Sequence, residues 1–182
     1  MMIVVGTLPL FLVLPINDKV EELYYITPFI GVALLLTGCM LFVSDKMTPG
    51  KRTEKNMRFR DALVIGLCQC VATIPGLSRS GTTITAGIAT GLDRNFAMKY
   101  SFLLSLPAVL GANLLSFIKA LGEESIDASL IPAYLIGMLA AMLSGIAAIS
   151  LMKLIAKKSK FGWFAYYCWG AGVLTIIFSL IF

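Results

Sequence analysis

Apolar residues fall in six long runs, at about residues 1–16, 26–43, 61–91, 97–118, 130–152 and 161–182, separated by short polar stretches. Most of these runs are long enough to cross a bilayer core of about 30 Å as a helix. The first is short, because Met1 to Pro15 would rise only about 22 Å, so the chain is expected to start inside a span or at its edge. The run 61–91 differs from the rest. At its centre stands "IPGLSRSGTTITAG", Ile74 to Gly87, with Pro75-Gly76 followed by an arginine and a series of hydroxyls.

The polar stretches differ in charge. Residues 17–25 hold three acids and one lysine, and residues 119–129 hold the same. Residues 44–60 hold six basic residues and two acids, and residues 153–160 hold four lysines and no acid. Basic loops stay on the cytoplasmic side, which puts 44–60 and 153–160 inside and 17–25 and 119–129 outside. An odd number of crossings must then separate residue 60 from residue 119, yet two apolar runs lie between them. One of the two must enter and return on the same side. Pro75-Gly76 and the polar centre select 61–91 as a re-entrant helix-loop-helix, a form tolerated at membrane depth only where protein or a wet cavity surrounds it. The predicted fold is all-α: a polytopic membrane domain over 1–182 with about five transmembrane helices and one re-entrant hairpin. Gly87-x-x-x-Gly91 and Ala141-x-x-x-Gly145 have the spacing that lets helix backbones approach closely.

Composition agrees. Of 182 residues 58% are hydrophobic and 14% charged, with a mean hydropathy of +0.89, against about 45–50% and about 25% in soluble domains. The net charge of +5 is spent on loops, and no basic-aromatic surface points to nucleic acid. Cys39, Cys68, Cys70 and Cys168 all lie in apolar runs and read as small packed hydrophobes. No basic n-region or small-residue cleavage site marks a signal peptide. The chain has no histidine, which removes the commonest general base and metal ligand.

Arg79 is the one charge in the middle of an apolar run, and the nearest acids in sequence are Asp61 and Asp93. An ionisable residue inside a membrane marks a functional site by default. Gly76 and Gly81 permit a tight turn, a half-helix starting near Ser80–Thr82 would aim its positive end at that turn, and Ser78, Ser80, Thr82 and Thr83 offer hydroxyls. With the planar fork of Arg79 these residues read as a phosphate cradle. The alternative is structural, with Arg79 paired to helix-end carbonyls and the hydroxyls serving as caps. Arginine stabilises a phosphoryl transition state but does not act as a base, a serine nucleophile needs an activator, and a metal route needs carboxylates. The site residues of this chain are Ser78, Arg79 and Ser80 as catalytic candidates, Gly81, Thr82 and Thr83 beside them on the phosphate, and Gln69, Pro75 and Gly76 in support, with no metal ligands.

"GLCQCVATIPGLSRSGTT" (Gly66–Thr83), supported by "GTLPL" (Gly6–Leu10), "YSFLLSLPAVLGA" (Tyr100–Ala112) and "FAYYCWGAG" (Phe164–Gly172), resembles the undecaprenyl-diphosphate phosphatases of the bacitracin-resistance type over nearly the whole chain. The resemblance implies hydrolysis of undecaprenyl diphosphate to undecaprenyl phosphate and inorganic phosphate in the bacterial inner membrane, recycling the lipid carrier of peptidoglycan synthesis. It implies an inverted-repeat fold of which this chain is the second half and a polyprenyl diphosphate lipid partner among membrane lipids, and it allows a homodimer. It also implies a divalent metal, Mg or Ca. Its ligands, an E-x-x-x-E motif, and a histidine would lie on another hairpin upstream of Met1, in about a first third that this sequence lacks. Cys168 stands where the family usually has arginine, a change that would affect an interfacial anchor or a lipid-phosphate contact. Two other readings stay open: a transporter or lipid-flipping protein, since broken helices with anion sites also serve transport, and a non-catalytic remnant that binds lipid phosphates.

Overall fold

The computed structural model describes residues 1–122, 131–157 and 162–181. Its elements are α1 (Met2–Thr7), continued by a 3₁₀ turn Leu8–Leu12, α2 (Asn17–Glu22), α3 (Thr27–Lys46), α4 (Phe59–Val71), α5 (Arg79–Ala89), α6 (Arg94–Gly122), α7 (Ile131–Lys157) and α8 (Gly162–Ile181). Four helices are long and apolar enough to cross a membrane: Thr27–Lys46, Arg94–Ile118, Ile131–Leu151 and Gly162–Ile181. Their large side chains are mostly exposed, Leu110, Ile136 and Leu180 among them, as helices facing lipid require. The all-α, multi-pass membrane fold read from the apolar runs is therefore present. The short first run forms no long helix. Pro9, at the start of the 3₁₀ turn, removes a helical N–H, and the segment Met2–Leu12 remains a short apolar helix. The polar stretch 17–25 is not extended loop but α2 and a 3₁₀ turn. Of the stretches 119–129 and 153–160, residues 119–122 continue α6 and 153–157 continue α7, while 123–129 and 158–160 lie outside the described residues.

The chain divides into two compact units, Met1–Pro107 with Lys160–Phe182 and Ala108–Ser159. In the first, α3 packs along α8. Small residues make the closeness possible: a side chain at Gly172 would stand 2.8 Å from the Gly31 carbonyl oxygen, and one at Gly38 would stand 2.5 Å from the Trp169 ring. Trp169 donates its indole N–H to the Leu35 carbonyl (3.2 Å) and packs at 5.5 Å on Phe42. Ala165, Cys168 and Gly172 form the buried stripe of α8. Cys168 is thus a small buried side chain on the face of α8 that packs on α3. In the second unit Ala141 is exposed and nothing lies within 4 Å of where a Gly145 side chain would be, so that small-residue pair has no packing partner among the described residues. Gly87 does pack, against Ala97 of α6, but Gly91 is a turn residue with φ +91°.

α4 and α5 form a helix-turn-helix hairpin over the run expected to be re-entrant. With 13 and 11 residues they rise about 20 and 16 Å, too little to cross the core. α1 supports α4 at a backbone contact: a side chain at Gly66 would meet the Gly6 carbonyl oxygen at 2.4 Å. Both ends of the hairpin are tied to one residue of the basic loop. Arg52 donates its backbone N–H to the Gly91 carbonyl (3.3 Å) and accepts from the Asp93 N–H (2.8 Å), just beyond α5. Its guanidinium meets the Asp61 carboxylate in the first turn of α4 at 2.6 Å. Asp61 also accepts the Arg58 N–H (2.9 Å), capping α4. Nearby, buried Arg94 binds Asp45 (3.0 Å) and the Ser44 carbonyl (2.9 Å) at the end of α3, and Asp45 accepts the Gly162 N–H that opens α8. A polar layer therefore gathers the start of α4, the end of α5, the end of α3 and the starts of α6 and α8, all on one side.

Candidate functional site

The turn between the two half-helices, residues 72–78, is the candidate site. Gly76 has φ +90°, a region that L side chains rarely adopt. It also lies directly against α3: a side chain there would stand 2.8 Å from Ala33 Cβ and 2.8 Å from the Ile30 carbonyl oxygen. Pro75 is buried beside it, and its missing N–H leaves one fewer donor to satisfy in the turn. Thr37 of α3, 2% exposed, reaches the turn from the other side. Its hydroxyl donates to the Gly76 carbonyl (3.0 Å) and accepts the Ser78 N–H (3.1 Å). Nothing in the sequence marked Thr37, which sits as a lone hydroxyl in an apolar run.

α5 then starts at Arg79, one residue before the expected range, with Ser78 as its N-cap. The Ser78 hydroxyl oxygen accepts the Gly81 N–H (3.1 Å), so its own proton stays available to donate. Arg79 and Ser80 are the first two helical residues, whose N–H groups have no partner within the helix. Both side chains are half-buried. Neither the Arg79 guanidinium nor the Ser80 hydroxyl makes a hydrogen bond or ion pair among the described residues. Arg79 therefore does not pair with helix-end carbonyls, which leaves the anion reading of its fork standing.

The threonines are different, and here the sequence reading needs correction. Thr82 donates to the Ser78 carbonyl (2.8 Å). The Thr83 hydroxyl bonds the Arg79 carbonyl (3.0 Å) and the Ser101 hydroxyl of α6. Both residues are buried. Their hydroxyls hold α5 to itself and to α6 and are not donors to a ligand, because a threonine one turn into a helix finds the carbonyl four residues back before it finds an anion. Gly81 is buried, with Ser78 Cβ and Leu41 packed against it. Gln69 on α4 is 1% exposed and its Nε2 has no partner. A buried unpaired amide is costly, so its position on the arriving half-helix is consistent with a polar contact supplied by a ligand.

The donors at the turn are thus the Arg79 fork, the Ser78 and Ser80 hydroxyls and the first N–H groups of α5, all on one helix end. Such donors suit negative oxygen and offer no carboxylate for a divalent metal. No cluster of three or more His, Cys, Asp or Glu exists among the described residues, and Asp45, Asp61 and Asp93 are engaged at helix ends. The described residues therefore supply no ligand set for the Mg or Ca implied by the resemblance.

Residues 1–174 match the family described as bacitracin resistance protein BacA. The chain belongs to that family. Similar proteins carry the name undecaprenyl-diphosphatase: that of Methanosphaera stadtmanae is 39% identical over 99% of this chain and 64% of its own length. That of Alkaliphilus metalliredigens is 38% identical over 100% of this chain and 66% of its own length. This chain spans just under two thirds of these two relatives. The protein of that name from Methanothermobacter thermautotrophicus is 37% identical and is covered over 100% of its length. The matched residues include the turn 72–78 and both helices that flank it.

Proposed function

We propose that this chain binds the diphosphate headgroup of undecaprenyl diphosphate at the Ser78–Ser80 turn and serves its hydrolysis to undecaprenyl phosphate and inorganic phosphate in the cytoplasmic membrane. The observation that carries the reading is Arg79, a half-buried guanidinium at the end of a re-entrant half-helix, without a protein partner among the described residues. Its fork matches two phosphate oxygens, the N-terminus of α5 adds a positive dipole end, and the exposed apolar faces of the long helices suit a polyprenyl chain. The name borne by the relatives supports the same substrate.

In this reading Arg79 neutralises the diphosphate and stabilises the charge that builds on the transferred phosphoryl oxygens, while Ser78 and Ser80 orient it. Deprotonation of the attacking group is not assigned to any of these residues, because arginine stays protonated and neither serine is hydrogen-bonded to a base. The test uses the purified chain in detergent and farnesyl diphosphate as probe. Losing two charge-assisted hydrogen bonds, each worth about 1.5–3 kcal/mol, Arg79→Ala should weaken binding by at least about 100-fold. Arg79→Lys, which keeps charge but loses the fork, should fall between. Phosphate release by residues 1–182 alone is expected to be small. Equal binding of farnesyl diphosphate and farnesol by the wild type, or Arg79→Ala binding like wild type, would refute the reading.

A further inference from the structure

Threonine hydroxyls in this chain usually bond their own helix. Thr7, Thr82, Thr85 and Thr175 each donate to the carbonyl four residues earlier, the ordinary outcome in an apolar helix. Thr37 does not. Its hydroxyl leaves α3 and closes two bonds to backbone 39 and 41 residues away, the Gly76 carbonyl at 3.0 Å and the Ser78 N–H at 3.1 Å. Both capacities of the hydroxyl point outward from its own helix, and the residue is 2% exposed. One and two turns earlier on the same face of α3, Ala33 and the Ile30 carbonyl abut Gly76. Residues 30, 33 and 37 therefore form a seat for the turn, and Thr37 is its polar member.

The two groups it holds lie immediately before Arg79. Ser78 is the N-cap whose conformation sets where α5 begins. We infer that Thr37 is a positioning residue of the diphosphate site: its hydroxyl fixes the Gly76–Ser78 backbone, and so fixes where the Arg79 fork and the first N–H groups of α5 converge. This rests on the diphosphate reading above for its functional half, and stands without it for its structural half. Displacing a binding group by about 1 Å can cost about 100-fold in function, so a residue that touches no ligand acts here through the one that does.

Thr37→Val keeps the shape and removes both bonds, Thr37→Ser keeps the hydroxyl, and Thr37→Ala gives a second removal should the buried valine prevent folding. Two readouts are needed. Amide hydrogen exchange of the peptide covering residues 74–80, measured without ligand, should rise by at least about tenfold in Thr37→Val and Thr37→Ala and return towards wild type in Thr37→Ser, since the Ser78 N–H loses its acceptor. Farnesyl diphosphate affinity should fall by about tenfold or more in Thr37→Val, with Thr37→Ser close to wild type. In an Arg79→Ala background the same Thr37→Val change should cost little, because no fork remains to be placed. Unchanged exchange at 74–80 overturns the inference, as does a Thr37→Val penalty of equal size with and without Arg79. A wild type that binds no diphosphate yet shows the exchange change defeats the diphosphate reading and its functional half, and leaves the clamp itself.

Discussion

Two glycines share one backbone conformation in different surroundings, and that pair makes a sharp prediction. Gly76 has φ +90° and Gly91 has φ +91°. Replacing either by alanine forces an L side chain into a left-handed conformation, at a cost of about 1–2 kcal/mol. At Gly91 the nearest atoms to a new Cβ belong to the Arg52 side chain, the closest at 3.0 Å. The Arg52 side chain is long and partly exposed and can shift there, loosening its ion pair with Asp61 at most, so the packing cost is smaller than at Gly76. At Gly76 the Cβ would stand 2.8 Å from Ala33 Cβ and 2.8 Å from the Ile30 carbonyl oxygen. Neither atom is the end of a flexible chain, so α3 and the turn must part by several tenths of an ångström. Overpacking of this kind adds about 1–3 kcal/mol, which takes Gly76→Ala to about 2–5 kcal/mol in all. The separation also stretches the Thr37 bonds to Gly76 and Ser78. Gly76→Ala should therefore lose diphosphate affinity as well as stability, while Gly91→Ala should lose stability alone. The assay is unfolding in mixed detergent micelles with rising SDS, followed by farnesyl diphosphate titration on the folded fraction. Equal destabilisation of the two variants would refute the packing argument. An unaltered affinity in Gly76→Ala would refute the link from turn to site.

The same-side placement of the hairpin ends can be read by labelling. Lys55 precedes α4, Asn95 follows α5, and both are exposed; in a background lacking the native cysteines, Lys55→Cys and Asn95→Cys should react with a membrane-impermeant maleimide from the same face, and labelling from opposite faces would mean that 61–91 crosses. The hydroxyls of α5 should separate by role: Ser80→Ala should weaken farnesyl diphosphate binding several-fold with little loss of stability, whereas Thr83→Val, which strands Ser101, should cost about 1–2 kcal/mol of stability with little change in affinity. The reverse pattern would restore Thr83 to the phosphate.

The chain's class, an all-α multi-pass membrane protein, was legible from its order of residues. Bilayer thickness sets how long an apolar run must be, and loop charge sets which side it returns to, so both can be counted without coordinates. That counting led to the expectation of a re-entrant hairpin, and the structure shows a helix-turn-helix whose two ends meet at Arg52, which holds Asp61 at one end and Gly91 and Asp93 at the other. Arg79 was legible for a similar reason, because a charge inside an apolar run stands out whatever the fold does around it.

The division of labour among the hydroxyls was not legible. Ser78, Ser80, Thr82 and Thr83 look alike in sequence, but helix geometry commits Thr82 and Thr83 to carbonyls one turn back and leaves Ser80 on the first turn with none in reach. Thr37 was invisible, since a hydroxyl in an apolar helix ordinarily bonds its own backbone, and only the approach of a turn 39 residues away redirects it. Gly6 against Gly66, and Gly31 against Gly172, were likewise no motif in the sequence. Solvent-driven patterns such as hydrophobic run length and loop charge are local and survive in one dimension. Hydrogen bonds and close backbone contacts between distant segments exist only once those segments are brought together, and it was these that decided which candidate hydroxyls are committed to the protein itself, which residues brace the turn, and where Arg79 stands.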